Sequence, residues 1–219
     1  MKRAWVLTGL LLVFACHQGW SQIDQEAVRL THYVFPAFTA GKVLLKNGAV
    51  SQQLLNYNVL TNEMIFDAGA GKYLAIAEPA SVDTIFIADR TFIPAKLGFV
   101  EIISKAAMPL AIVYEGRIAE QGEDIGYGIS SQAGASQALR TMLQNGSAYG
   151  MKLPDGFQVT LLQQYAIAKN GDWEKFTSFA ALARLVPAKK QLINETVKAK
   201  KLDVNSKKDL LALFRLINE

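Results

Sequence analysis

Apolar residues come in short runs through the first two-thirds of the chain. Three runs crowd into residues 56–94: 63–66 (EMIF), 73–77 (YLAIA) and 83–88 (DTIFIA). A fourth, 91–94 (TFIP), follows a break at Asp89 and Arg90. Each is too short for a helix and rich in β-branched or aromatic residues, which predicts strands. The breaks, 67–71 (DAGAG) and Asp89-Arg90, carry turn chemistry. The stretch therefore reads as an antiparallel meander.

The same alternation extends to both sides. Residues 42–46 and 49–57 flank Asn47-Gly48. That pair predicts a hairpin on a type I′ turn with both residues at positive φ. Residues 99–103 and 110–114 continue the strand series. Residues 34–38 (VFPAF) predict an edge strand, because Pro36 has no N–H for a ladder. The rest of 22–41 is a polar, loosely ordered lead-in.

Beyond Glu115 the pattern weakens. Residues 120–124 (EQGED) are acidic and 126–136 are mostly small, which predicts a long mobile loop. Residues 136–143 predict a short helix. Residues 151–153 and 157–162 predict a hairpin about 154–156 (PDG). Residues 165–168 and 173–176 predict another about 169–172 (KNGD).

The tail changes period. Phe179, Leu182 and Val186 recur at helical spacing, and Pro187 suits a first helical turn. Leu192, Ile193, Thr196 and Val197 form a second apolar face, and Leu210, Leu213, Phe214 and Ile217 a third. Ser206 and Asp209 have capping-box spacing ahead of that last run. The fold class expected is α+β: an antiparallel β-meander body (sandwich or open barrel) with a C-terminal cap of three short helices. The boundaries are a signal peptide at 1–21, the lead-in at 22–41, the body at 42–176 and the helical cap at 177–219.

The leader rests on Lys2-Arg3 followed by twelve uncharged residues, 4–15 (AWVLTGLLLVFA). That run has signal-peptide length and is short for a bilayer span. Gly19 and Ser21 offer small residues for cleavage before Gln22. Residues 13–16 (VFAC) instead resemble a lipobox that would place lipid on Cys16, although Phe14 suits that motif poorly. Either route sends the protein to the periplasm, outer membrane or extracellular space. Cys16 is the single cysteine, so an exported chain would rely on its core and not on disulfides.

Composition adds little to this except in where the charge lies. Of 219 residues, 51% are hydrophobic and 19% charged, an ordinary globular balance. The formal net charge is +4. Residues 184–219 carry nine Lys/Arg against four Asp/Glu, whereas residues 22–183 carry twelve against fifteen. The basic character belongs to the tail. Its lysines are not interleaved with aromatics, so nucleic-acid binding is not expected.

The tail motif ALARLVPAKKQLINETVKAKKLDVNSKKDLLALFRLIN, led by an aromatic strand and an Asn-Gly turn, resembles the ends of exported Gram-negative bacterial proteins to which no function is assigned. The stretch KVLLKNG…LNYNVLTNEMIF…VDTIFIADRTFIP resembles the same group. The resemblance implies export and a shared architecture. It carries no catalytic motif, and so no functional residue.

Chemistry is sparse. His17 leaves with the leader, so His32 is the one base left for a Ser-His-Asp triad, and its neighbours form no nucleophile elbow. A surface or packing role is expected for it. The 67–72 segment (DAGAGK) lacks the spacing of a phosphate loop and joins two predicted strands, so it reads as a hairpin turn. Glu63, Asp67, Asp83 and Asp89 lie near strand ends, where a glycosidase pair or a Ca²⁺ site could form. Glu120, Glu123 and Asp124 could meet a cation but read as a solvated loop. No catalytic, cofactor-binding or metal-ligating residue is assigned and no cofactor is expected.

The function expected is a non-enzymatic binding or interaction module of the cell envelope. Its partner would be a protein or a small molecule, with the membrane involved only through a lipidated Cys16. A carboxylate-based hydrolase or carbohydrate-active protein is one alternative, and a lipid-anchored subunit of an envelope complex is another.

Overall fold

Strands dominate the described part of the chain because its apolar residues alternate with polar ones. The computed structural model describes residues 32–96, 98–120, 140–142, 144, 146–153 and 157–219. The leader with Cys16, the lead-in up to residue 31, the predicted loop from 121, residues 136–139 of the predicted helix and the 154–156 turn lie outside the described residues. The strands are β1 (Thr39–Leu45), β2 (Val50–Asn58), β3 (Glu63–Asp67), β4 (Tyr73–Ala75), β5 (Val82–Ile87), β6 (Arg90–Ala95), β7 (Gly98–Ser104), β8 (Leu110–Glu120), β9 (Phe157–Lys169) and β10 (Asp172–Phe176). Three C-terminal helices follow: α1 (Phe179–Leu185), α2 (Lys190–Lys200) and α3 (Lys207–Ile217). The coarse α+β reading holds.

All ten strands form one sheet in the order β10-β9-β8-β7-β6-β5-β1-β2-β3-β4, and neighbours pair antiparallel. It is therefore not a single meander. After the short β4, a 3₁₀ turn at Pro79–Ser81 carries the chain back, and β5 pairs with β1 instead of β4. The amide of Lys46 donates to the Ser81 carbonyl at 2.9 Å and holds that crossing against the β1–β2 turn. β1 gains a partner on each edge, and Val43 lies between Ile85 and Ser51.

The turn at Asn47-Gly48 is a hairpin, but not of type I′. Gly48 alone has positive φ (84°). Its amide donates to the Leu45 carbonyl at 2.9 Å, and the Leu45 amide donates to the Ala49 carbonyl. This is a type I turn closed by a left-handed glycine, a three-residue loop. The Asn47 side chain accepts from the Ala49 amide, which favours that form.

Residues 34–37 are a run of bends, and 34–38 form no edge strand. Asn56 explains why: its side chain accepts from the Phe35 amide at 3.0 Å and donates to the Phe35 carbonyl at 2.9 Å, in place of a ladder. A lone bridge joins Tyr33 to Asn58. This pins residues 32–38, so the loose lead-in expected for 22–41 fails here, and β1 itself begins before residue 42.

β8 and β9 run longer than the apolar pattern indicates. They stay paired from Leu110 opposite Ile167 to Glu120 opposite Phe157. Mutual hydrogen bonding sustains strands whose outer halves are polar, and residues 157–169 form one strand instead of two. Residues 151–153 are no hairpin limb; Leu153 packs with Leu60 and Met142 beside a 3₁₀ turn at Ser147–Tyr149. Residues 140–142 of the predicted helix are helical.

Inward-facing Val43, Tyr57, Ile85, Phe92, Phe99 and Ile112 share one core. The β2–β3 turn touches β7 and β8 across it: the Gly116 amide donates to the Val59 carbonyl at 3.0 Å. A second core joins Leu110, Ile167 and Phe176 to Leu182, Ile193, Leu213 and Phe214 of the helices. Ser178 starts α1 by accepting from the Ala181 amide, and Ser206 starts α3 by accepting from the Asp209 amide at 3.2 Å. The return limb of the predicted capping box differs, because Asp209 accepts from the Asp203 amide.

Gly98 and Gly48 share a φ of 84° but not their surroundings. A Cβ on Gly98 would lie 2.3 Å from the Asn62 carbonyl oxygen, whereas one on Gly48 meets nothing within 4 Å. Gly48→Ala should cost about 1 kcal/mol, the left-handed penalty alone. Gly98→Ala should cost about 3 kcal/mol, strain and clash together. Urea unfolding of the two variants measures the difference; equal losses would mean that the β2–β3 turn does not lie against β7.

Candidate functional site

Two features of the sheet bear on function: a charged cluster inside it and a hollow outside it. The cluster starts with Arg90. The β5–β6 turn is Ala88-Asp89, with Ala88 at positive φ, so Arg90 is the first residue of β6 and pairs with Ile87. Reading Arg90 as a turn residue is corrected here. Its side chain follows Phe92 onto the inner face, where Glu101 of β7 lies opposite Phe92 and Ile112 of β8 opposite Glu101.

Glu101 is 3% exposed. Its Oε2 accepts from Arg90 Nε at 3.0 Å, from Arg90 Nη2 at 2.5 Å and from the Tyr114 hydroxyl at 2.5 Å. Arg90 Nη2 also donates to the Tyr114 oxygen. The Arg90 guanidinium sits 4.5 Å from the Phe35 ring centre and 5.2 Å from that of Phe92. Lys207, at the start of α3, approaches Glu101 Oε1 at 3.8 Å. Burial, then the Glu101 hydrogen bond, drives the Tyr114 hydroxyl far above its ordinary range, so it stays a donor. A charge so enclosed ties strands together and is closed to solvent chemistry.

The hollow lies where the β2–β3 and β6–β7 turns meet β10. The β2–β3 turn supplies Asn62, the β6–β7 turn Ala95 and Lys96, and β10 supplies Asp172, Trp173 and Lys175. Val100 and Val113 form an apolar floor, and the volume is about 260 Å³. Lys96 faces Asp172 at 4.0 Å, and Lys175 pairs with Glu115. These ion pairs are partly exposed, and such pairs contribute little stability, so they open at little cost. Tyr114 also lines the hollow, which links it to the charged cluster. A second, more apolar hollow of about 210 Å³ lies among Val43, Leu55, Phe66 and Ile76.

The sequence candidates are dispersed. His32 is 1% exposed, with Nε2 at 3.0 Å from the Gly150 carbonyl and Nδ1 without a partner. No serine or aspartate touches it among the described residues, and it packs on Tyr33. Of the surface and packing roles expected for it, the structure shows packing; neither the surface role nor the polar surroundings is found. Glu63 accepts from the Tyr149 hydroxyl at 2.8 Å. Asp67 accepts from the Gly69 amide within the 67–72 hairpin turn, and Asp83 accepts from the Thr84 hydroxyl. Asp89 occupies the β5–β6 turn. Glu120 ends β8, while Glu123 and Asp124 lie outside the described residues. Among the described residues no three His, Cys, Asp or Glu side chains gather to hold a metal ion.

Sequence reasoning missed Glu101, although a signal was present. It falls in register with Phe99 and Ile103, a charge on an apolar face. Trp173 was read only as a strand residue. Among known proteins, no family model, curated protein or solved structure matches the chain.

Glu101→Gln should cost about 3–5 kcal/mol in urea unfolding, since it strands a buried guanidinium. Replacing the cluster together (Arg90→Met, Glu101→Leu, Tyr114→Phe) should recover most of that loss. Equal damage from both variants would show that shape, and not charge, sets the cost.

Burial pushes His32 down to about 4 from 6.5, against the opposing Gly150 hydrogen bond. Between those values the unfolded chain binds more protons. Stability is therefore complete above pH 6.5 and falls as the pH drops to 4, by about 3 kcal/mol in total. His32→Gln, which does not titrate there, should flatten that part of a stability–pH curve.

Proposed function

We propose that this chain is an exported envelope protein that binds a ligand and does not transform it. The observation that carries the reading is the hollow beside Trp173, where an apolar floor and a rim of polar groups sit on strands held by a buried ion pair. Small-molecule sites have this composition. Enclosure of Glu101 by Arg90 and Tyr114, and the separate local duties of Glu63, Asp67 and Asp83, favour binding over carboxylate hydrolysis.

The leader and the resemblance to exported Gram-negative proteins support passage out of the cytoplasm. Among the described residues no helix is long and apolar enough to cross a membrane. On this reading the sheet is an open barrel, closed by contact of the β2–β3 turn with Gly98 and Gly116, and α1–α3 cap its β8–β10 end.

Expression of the full chain in a Gram-negative host tests the first half of the proposal. Fractionation should place the protein outside the cytoplasm, and mass spectrometry should find a mature chain that begins at Gln22. An acylated N-terminal Cys16 would instead support the lipid-anchored subunit. An uncleaved Met1 in the cytoplasm would sink the export reading.

A further inference from the structure

Resting on the binding reading, we infer that the hollow beside Trp173 is a saccharide site that takes a neutral sugar ring.

Trp173 is the only tryptophan in residues 22–219. Alone among the described aromatic residues it joins no core cluster, no ring pair and no cation–π contact. Its backbone amide donates to Asp172 Oδ1 at 2.8 Å, and its indole N–H has no hydrogen-bond partner among the described residues. A large flat apolar surface is partly exposed at the edge of a cavity.

The rim decides what that surface would meet. It carries two ammonium groups, two carboxylates and the Asn62 amide. Each ammonium already faces a carboxylate, so the rim is neutral overall and selects no charged ligand. It still offers many donors and acceptors, because each exposed pair retains unused hydrogen-bonding capacity. A ligand that suits this lining has one apolar face and a belt of hydroxyls, and a pyranose ring has both. Its C–H face would lie on Trp173, Val100 and Val113, and its hydroxyls would reach Asp172, Glu115 and Asn62. The volume of about 260 Å³ is just under the usual range for ligand sites, about 300–1,000 Å³, which suits a single ring seated from an open chain.

The test is calorimetric titration of the full chain with maltotetraose, cellotetraose and chitotetraose, and separately with the dye anilinonaphthalene sulfonate. At least one saccharide should bind. Trp173→Ala should weaken it at least tenfold and Asp172→Asn several-fold, with Tm unchanged in both. Trp173→Phe should retain part of the affinity. Saccharide binding that survives Trp173→Ala would overturn this site. Dye binding that Trp173→Ala removes, with no saccharide bound, would overturn the sugar assignment and leave the binding reading standing. If neither saccharide nor dye binds at Trp173, both fall.

Discussion

One carboxylate on the inner face of the sheet dictates which side chains must gather around it. Glu101 sits where an apolar side chain would ordinarily go, and it is tolerable there only because its surroundings satisfy it. Arg90 and Tyr114 saturate one oxygen and Lys207 faces the other. These residues come from β6, β8 and the first turn of α3. The cluster thus joins neighbouring strands to the last helix, which hydrophobic packing alone would fix less specifically. Phe35 completes it from the other side by lying over the guanidinium, which draws in the segment before β1.

The hollow depends on that arrangement. Tyr114 belongs to both, so the strands that form its floor are fixed at their inner face. Gly98 and Gly116 bring the β2–β3 turn against β7 and β8, which sets Asn62 at the rim. Binding surfaces built on strands lose less freedom on association than loops do. The exposed ion pairs supply polar groups that are positioned but weakly committed.

Strand-forming runs between residues 42 and 114 were legible because β-branched and aromatic residues alternate there. The three helical segments of the tail were legible from their 3.6-residue period, and the start of α3 from Ser206 as well. Pairing was not. Nothing in the spacing of β4 and β5 reveals that β5 returns to β1, because strand order is set by which edges remain free. The outer half of β8 was illegible for a related reason: Glu115 and Arg117 look like loop residues until β9 is seen to pair with them. Asn56 and Asn58 likewise look like turn formers, yet the Asn56 side chain braces Phe35 and that of Asn58 donates to the Ala148 carbonyl. The site was the least legible part, since Asn62, Lys96 and Trp173 are far apart in sequence and meet only in the folded chain.

The placement of β1 between β5 and β2 has a consequence for how the chain reaches this state. The β1–β2 hairpin is local and can form early, as the chain grows from its N-terminus. Until β5 arrives, the far edge of β1 is an unsatisfied template flanked by apolar side chains. Any other extended segment, including one from a second molecule, can occupy it. The riskiest moment in the life of this protein is therefore the interval before Ile85 finds Val43, when it is most exposed to misassembly.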